Sequence, residues 1–191
     1  SRFSRNSAGS GAAIWNDAPA TIADSTFSEN SAGSMGGGIS QRNFTLTITN
    51  STLANNSSCR YGGAIDAWGT TVILRDSTVS GNSAGRLGGA IDNWGGTVDS
   101  TNSTIVMNRA DADGNGSGSG GGIYNYDSTL RITNSTVSGN TAGSYGGGIY
   151  FWDSYPYDTE VTITNSTVTG NTSGSYGGGI YLFRTVALSN S

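Results

Sequence analysis

A repeat of 26 residues runs through the whole chain, and it constrains the fold more than any other feature. Its first anchor is a segment such as NSTVSGN at 134–140, whose copies end at Asn30, Asn56, Asn82, Asn108, Asn140 and Asn171. Its second anchor is a glycine-rich segment whose copies end at Ile39, Ile65, Ile91, Ile123, Ile149 and Ile180. The period is stretched by two insertions, at 111–119 and 153–158. A chain of this kind is expected to stack one structural unit per repeat.

Each repeat contains three short stretches of alternating apolar and polar residues, as at 130–132, 135–138 and 148–150. Turn-forming Gly, Asn and Ser residues separate them, and no helical periodicity is present. The pattern predicts an all-β fold in which each strand pairs in parallel with its copy one repeat later. We therefore expect one parallel β-helix domain over 1–191, with about seven rungs and three short strands per rung.

The alternation also predicts which residues point inward. Leu130, Ile132, Val137 and Ile149 fall on the inner side of one rung, and their equivalents in other repeats are apolar. The serine of the first anchor falls inward near a corner. The six closing asparagines are placed to form an interior amide ladder that satisfies buried turn amides and carbonyls.

The paired anchors resemble a known repeat. Segments such as FSEN at 27–30 and GGAI at 62–65 or 88–91 are similar to the FxxN and GGA-I repeats of polymorphic-outer-membrane-protein passenger domains and related surface β-helices. The similarity extends over essentially the whole chain. It implies a right-handed parallel β-helix and a place outside the cell, as in adhesins and autotransporter passengers.

The composition excludes several classes of protein. The chain contains no lysine and no histidine, only 12% charged residues and a net charge of -4. Nucleic-acid binding is not expected, because it requires a basic surface. No apolar run is long enough to cross a bilayer. The usual general base and the commonest metal-binding side chain are both missing, so we expect no catalytic activity.

One insertion suggests a metal site. Asp111, Asp113 and Asn115 alternate as in the opening of a calcium loop, in which carboxylate and amide oxygens converge on a hard cation. The position that a bidentate glutamate would occupy holds Gly122. The segment is either a structural Ca²⁺ site or a solvated glycine-rich loop. No other cofactor is indicated.

Two further features suggest contact with a ligand. Asp66 and Asp92 occupy equivalent positions one period apart and should form an acidic step on the surface, the arrangement with which some polysaccharide hydrolases begin. The neighbouring copies offer Ser40, Tyr124, Tyr150 and Tyr181 instead of a third acid or a base. Aromatic residues recur near the glycine segments and are candidates to bind a glycan or a cell-surface partner, or to cover the turns: Trp15, Trp68, Trp94, Trp152, Tyr61, Tyr145 and Tyr176.

Threonine recurs at the third position of the first anchor, from Thr26 to Thr167, and should form an outward column. Regular threonine arrays occur on ice-binding solenoids, although threonine is also a common outward residue of strands. Neither end of the sequence carries an atypical capping repeat. We therefore expect a segment of a longer repeat protein, or a subunit that associates head to tail into a filament.

The function expected from the sequence is an extracellular structural or adhesive solenoid: a stalk, a surface passenger or a filament subunit. A carbohydrate-binding or carbohydrate-active β-helix is the second hypothesis, and an ice-binding solenoid is the third.

Overall fold

The structure is a computed structural model that describes residues 1–154, 159–183 and 186–191. Within these residues the chain winds through seven rungs of four strands each, and every pairing between rungs is parallel. The strands of the first three rungs are β1 Arg2–Ser4, β2 Ser7–Ser10, β3 Ile14–Asn16, β4 Ala20–Ala23, β5 Thr26–Ser28, β6 Ser31–Met35, β7 Ile39–Arg42, β8 Leu46–Thr49, β9 Thr52–Ala54, β10 Ser57–Ser58, β11 Ile65–Trp68 and β12 Thr71–Arg75.

The fourth and fifth rungs contain β13 Thr78–Ser80, β14 Ser83–Ala84, β15 Ile91–Trp94, β16 Thr97–Thr101, β17 Thr104–Val106, β18 Arg109–Ala110, β19 Ile123–Tyr126 and β20 Thr129–Thr133. The last two contain β21 Thr136–Ser138, β22 Thr141–Ala142, β23 Ile149–Trp152, β24 Val161–Thr164, β25 Thr167–Thr169, β26 Thr172–Ser173, β27 Ile180–Leu182 and β28 Val186–Ser189. Equivalent strands form four sheets, which we call A, B, C and D after β1, β2, β3 and β4.

The expectation of three strands per rung is wrong, because sheet B adds a fourth. Several strands of sheet B contain only two residues, such as Ser57–Ser58 and Thr141–Ala142. A dipeptide of small residues shows no alternation, so the sequence pattern contained no signal for it. The solenoid therefore has four sides.

The insertions leave the rungs in register. Residues 111–118 form a loop between β18 and the bridge that joins Leu87 to Ser119. The second insertion, predicted at 153–158, lies between β23 and β24, and its residues 155–158 lie outside the described residues. Leu130 still pairs in register with Val161 across it.

The core is a set of apolar columns that run along the solenoid axis. Leu130, Ile132, Val137 and Ile149 are fully buried, as their inward phase predicts. Their equivalents three rungs away, such as Leu46 and Ile48 in β8, keep the same burial. Stacking places like residues next to one another, so each rung buries its apolar side chains against the neighbouring rungs.

The closing asparagines form a continuous interior ladder. The amide nitrogen Nδ2 of Asn56 donates to Oδ1 of Asn82 at 3.0 Å and to the carbonyl oxygen of Phe27 at 3.0 Å. The backbone N–H of Asn56 also donates to Oδ1 of Asn82, at 2.9 Å. The same side-chain bond between rungs, at 2.8–3.0 Å, joins Asn6, Asn30, Asn56, Asn82, Asn108, Asn140 and Asn171. Both donors and the acceptor of each interior amide are thus satisfied in the core.

A serine ladder lies at the corner between sheets D and A. The backbone N–H of Ser51 donates to Oγ of Ser77 at 3.1 Å, and Oγ of Ser51 donates to the carbonyl oxygen of Thr49. This bonding recurs from Ser25 to Ser166, and these serines are buried. Polar side chains therefore hold two corners of each rung.

Candidate functional site

The outer side of sheet C carries most of the aromatic residues, arranged as three parallel columns. The tryptophan column consists of Trp68, Trp94, Tyr126 and Trp152, which pair in register. The central column consists of Asp66, Asp92, Tyr124, Tyr150 and Tyr181, two residues earlier on the same strands. The rim column consists of Tyr61, Leu87, Ser119, Tyr145 and Tyr176, which precede the glycine segments. We call this surface the aromatic face.

Rings of the tryptophan column stack on one another along the axis. The centroids of Trp68 and Trp94 are 5.4 Å apart with ring planes at 3°. Trp94 and Tyr126 follow at 4.4 Å. Trp152 stacks on Phe183 at 4.0 Å at the far end. Offset stacking of this kind adds to the free energy gained by burying the rings, so the column also stabilises the rungs.

The central and rim columns join through their tyrosines. Tyr124 stacks on Tyr150 at 4.7 Å, and Tyr150 stacks on Tyr181 at 5.4 Å. Tyr145 of the rim contacts Tyr181 at 5.1 Å and stacks on Tyr176 at 5.9 Å. Burial raises the pKa of the Tyr124 phenol, and burial with the adjacent Tyr181 raises the pKa of Tyr150 to about 12. These phenols are therefore neutral hydrogen-bonding groups at physiological pH.

The aromatic residues proposed from the sequence do not all come together. Trp68 and Trp94 stack, and Tyr145 stacks with Tyr176, whereas Trp15 pairs in register with Ser40 and lies outside the tryptophan column. Tyr61 packs under the guanidinium of Arg60, whose carbon is 5.5 Å from the ring centroid.

The sequence pattern did not single out Tyr126 and Phe183, although Phe183 extends the aromatic face by stacking on Trp152. Both stand three residues after the isoleucine that closes the glycine segment, as Trp68, Trp94 and Trp152 do. That fixed offset is the signal that would have identified them.

A shallow groove runs beside the tryptophan column. It has a volume of about 460 Å³, and its lining residues are Trp68, Gly69, Trp94, Gly95, Tyr126 and Asp127. Three rings form one wall, and the turns that follow them form the other. Trp68 is 54% exposed at its open end. Exposed rings beside an open groove are a feature of surfaces that bind ligands or partners.

Asp66 and Asp92 are not the solvated step that the sequence suggested. They pair in register, but only 3% of Asp66 and 1% of Asp92 is exposed, because the central column lies in a trough between the two aromatic columns. Nη2 of Arg42 lies 2.7 Å from Oδ2 of Asp66, and Oγ of Ser40 donates to the same oxygen at 3.1 Å. Burial raises the pKa of Asp66, and Arg42 opposes that rise.

Within the described part of the chain Asp92 forms no ion pair, and the Trp94 side chain donates a hydrogen bond to it. Burial, together with the neighbouring Asp66 carboxylate, raises the pKa of Asp92 well above its ordinary value. Among the described residues nothing donates to or accepts from Oδ1 of Asp92. A general acid must come within hydrogen-bonding distance of its substrate, and both carboxyl groups are covered in this conformation.

The proposed calcium loop is closed by its own hydrogen bonds. Oδ1 of Asp111 accepts a hydrogen bond from the N–H of Gly116 at 2.9 Å, and Oδ2 of Asp113 accepts one from Nδ2 of Asn115 at 2.8 Å. Oδ1 of Asn115 accepts the N–H of Ser117 at 2.9 Å. In the part of the chain that the structure describes, no three His, Cys, Asp or Glu side chains are grouped so as to hold a metal ion. These side-chain oxygens thus accept hydrogen bonds within the loop.

The threonine column lies on the outer side of sheet A. Thr26, Thr52, Thr78, Thr104, Thr136 and Thr167 pair in register from rung to rung. This sheet is a different side of the solenoid from the aromatic face. No helix in the described residues is long and apolar enough to span a membrane.

Comparison with known proteins identifies one match. The family model described as "Right handed beta helix region" matches residues 10–190. No curated protein matches the chain. No solved structure matches it either.

Proposed function

The chain belongs to the family of right-handed β-helix proteins, and from this premise we propose that it is a non-catalytic solenoid of the cell exterior that adheres through its aromatic face. Its FxxN and GGA-I-like anchors support a closer relationship to the passenger domains of polymorphic outer membrane proteins and similar adhesins. In such a role the rungs act as a stiff scaffold and one side of it contacts a glycan or another surface molecule.

One observation carries this proposal: large rings of the aromatic face remain open to solvent and lie outside the hydrophobic core. Trp68 is 54% exposed, Phe183 57% and Tyr176 66%. The interior columns and the two polar ladders already hold the rungs together. Exposed rings grouped on one side of a soluble protein are typical of a binding surface, because burying them against a partner is favourable.

The scaffold role is supported by the chemistry of the chain. Catalysis of acyl or glycosyl transfer usually relies on groups that exchange protons with the substrate. The sequence offers no histidine and no lysine, and its paired buried carboxyls are covered.

The proposal is tested by adhesion of the purified protein to a panel of immobilised polysaccharides and extracellular-matrix proteins. Removing two rings with the double variant Trp68→Ala/Trp94→Ala should weaken adhesion about tenfold or more, which corresponds to about 1.4 kcal/mol. The matched control is Trp15→Ala, which removes an exposed tryptophan outside the tryptophan column. Equal adhesion of all three proteins, each shown to be folded by circular dichroism, would contradict the proposal.

A carbohydrate-active enzyme is the second candidate, and the register of Asp66 with Asp92 is the observation that favours it. Neighbouring carboxyls at strand spacing, about 4.8 Å, are near the separation used by retaining glycosidases. A screen for release of reducing ends from polysaccharides tests it. Activity that disappears in both Asp66→Asn and Asp92→Asn would establish this candidate over the adhesive scaffold.

A further inference from the structure

We infer that the groove beside Trp68 and Trp94 binds an uncharged polysaccharide chain that lies along the axis of the solenoid. The inference rests on the proposed adhesive function and specifies the chemistry of the partner and its position on the aromatic face.

The groove exists because glycine follows each of the two tryptophans. In each rung a turn residue directly follows the residue at the end of the sheet C strand. In successive rungs this turn residue is Asn43, Gly69, Gly95 and Asp127. All four have positive φ, from 48° to 66°. The backbone N–H at this position bonds to the next rung in the same way each time, as from Gly69 to Trp94 at 2.7 Å. Since Asn43 and Asp127 adopt this conformation, the turn does not require glycine.

Glycine instead leaves the ring wall uncovered. A Cβ added at Gly95 would have nothing within 4 Å, and one at Gly69 would meet only Asn43, with its Oδ1 at 3.4 Å. Side chains at these two positions would therefore project into open space beside the rings. The two glycines directly follow Trp68 and Trp94, whose rings stack in parallel. The open positions at Gly69 and Gly95 therefore lie beside the stacked rings of Trp68 and Trp94.

The repetition of this arrangement indicates an extended ligand. Equivalent groups recur at strand spacing, about 4.8 Å, so a linear chain along the axis meets a similar surface at each rung. The groove extends over three rungs, from Trp68 to Tyr126. Pyranose units have apolar C–H faces that pack against aromatic rings while their hydroxyl groups remain in water, and this suits an open groove.

Charge favours an uncharged chain. The described residues that line the groove include no arginine, and the chain has no lysine. Among these lining residues the one carboxylate, that of Asp127, already accepts hydrogen bonds from the backbone N–H of Ser154 at 2.5 Å and from its Oγ at 2.7 Å. An acidic polysaccharide would find no counter-charge here and would approach a protein of net charge -4.

Isothermal titration of the purified protein with a soluble neutral β-glucan, a neutral mannan and polygalacturonate tests the inference. The decisive variant is Gly69→Asn/Gly95→Asn, which fills the groove, leaves both tryptophans in place and uses a residue that Asn43 shows to be compatible with the turn. We expect a neutral polysaccharide to bind the parent protein, and the filled variant to bind it about tenfold or more weakly, a change of about 1.4 kcal/mol. The control Gly139→Asn makes the same change in a turn of positive φ after sheet A, where Asn55 occupies the equivalent position, and should bind as the parent does.

Three results would overturn the inference. These are the absence of binding to both neutral polysaccharides, a preference for polygalacturonate, and unchanged affinity in the filled variant.

A proline-rich peptide is added as a competitor, since extended peptides also bind aromatic grooves. If the peptide alone binds, and Trp68→Ala/Trp94→Ala abolishes that binding, the polysaccharide inference fails while the adhesive function stands.

Discussion

Asp66 and Asp92 lie directly one above the other in adjacent strands of sheet C, and both are buried. One guanidinium offsets the charge of Asp66. Arg42 forms an ion pair with Asp66 from the rung before it. Asp92, one rung further on, is left beside an ionised carboxylate and aromatic rings. The protein can keep this arrangement most easily by holding Asp92 protonated.

The pH dependence of stability follows from this arrangement. Burial, and then the Asp66 carboxylate, raise the pKa of Asp92 in the folded state above the unfolded value of about 3.9. Below that value the group is protonated in both states and carries no penalty. As the pH rises towards the folded-state pKa, the unfolded chain releases its proton while the folded chain retains it, so Asp92 lowers the stability progressively.

The variant Asp92→Asn should therefore be more stable than the parent at neutral pH, by about 1 to 3 kcal/mol, the usual cost of burying a polar group in a protein, because asparagine does not ionise. The difference should shrink as the pH falls below about 3.9, where the parent is protonated in both states. Urea denaturation at several pH values measures it. Asp76→Asn is the matched control, because Asp76 is exposed and the equivalent positions in neighbouring rungs hold Asn50 and Asn102. A difference between parent and variant that does not vary with pH would refute this account.

Removing one amide from the middle of the asparagine ladder should destabilise the whole solenoid. Asn82→Ala eliminates the acceptor for Asn56 and the Nδ2 donor to Asn108 and to the carbonyl oxygen of Leu53. Buried groups left without partners cost about 1 to 3 kcal/mol each, so we expect a loss of about 3 kcal/mol or more. Thr78→Ala, on the outer side of the same rung, should cost much less. Chemical denaturation of the two variants checks the difference.

Substitution by alanine should destabilise the solenoid to different extents at two neighbouring glycine positions of the repeat. A Cβ at Gly63 would meet the carbonyl oxygen of Gly89 and the backbone nitrogen of Ser83, the latter at 2.6 Å. These are backbone atoms of the adjacent rung, so Gly63→Ala should cost about 3 kcal/mol or prevent folding. At the next position, a Cβ at Gly38 would lie 2.9 Å from the carbonyl oxygen of Ala64, but Ala64 and Ala90 already occupy the equivalent places, so Gly38→Ala should cost less than Gly63→Ala. Thermal melting that shows equal losses would contradict the close approach at Gly63.

The loop at 111–118 should be independent of calcium. Side-chain oxygens of Asp111, Asp113 and Asn115 each accept a hydrogen bond from within the loop, so a cation would have to displace those bonds. We expect the melting temperature to be the same in EDTA as in excess Ca²⁺. A calcium-dependent increase that disappears in Asp113→Asn would instead show that the loop rearranges to bind the ion.

Much of the fold could be predicted because a repeat carries its own long-range information. When the period is known, Asn56 is known to lie over Asn82 without any knowledge of tertiary structure. The strands of sheet B escaped prediction, since pairs such as Ser57–Ser58 are too short for an alternating pattern. The burial of Asp66 and Asp92 escaped it as well, because it depends on the side chains of neighbouring columns.

The period and the apolar alternation in the sequence determined that the chain forms a parallel solenoid, which residues point inward, and that asparagines align at one corner. These properties follow from stacking identical units, in which each contact is a contact between copies of the same position. Only the tertiary structure decided that the outward carboxyls of Asp66 and Asp92 are buried and that Trp68 and Trp94 border an open groove. Both depend on the sizes and packing of side chains from different strands, such as the rings of Trp94 and Tyr126, and these become neighbours only when the strands and turns are placed in space.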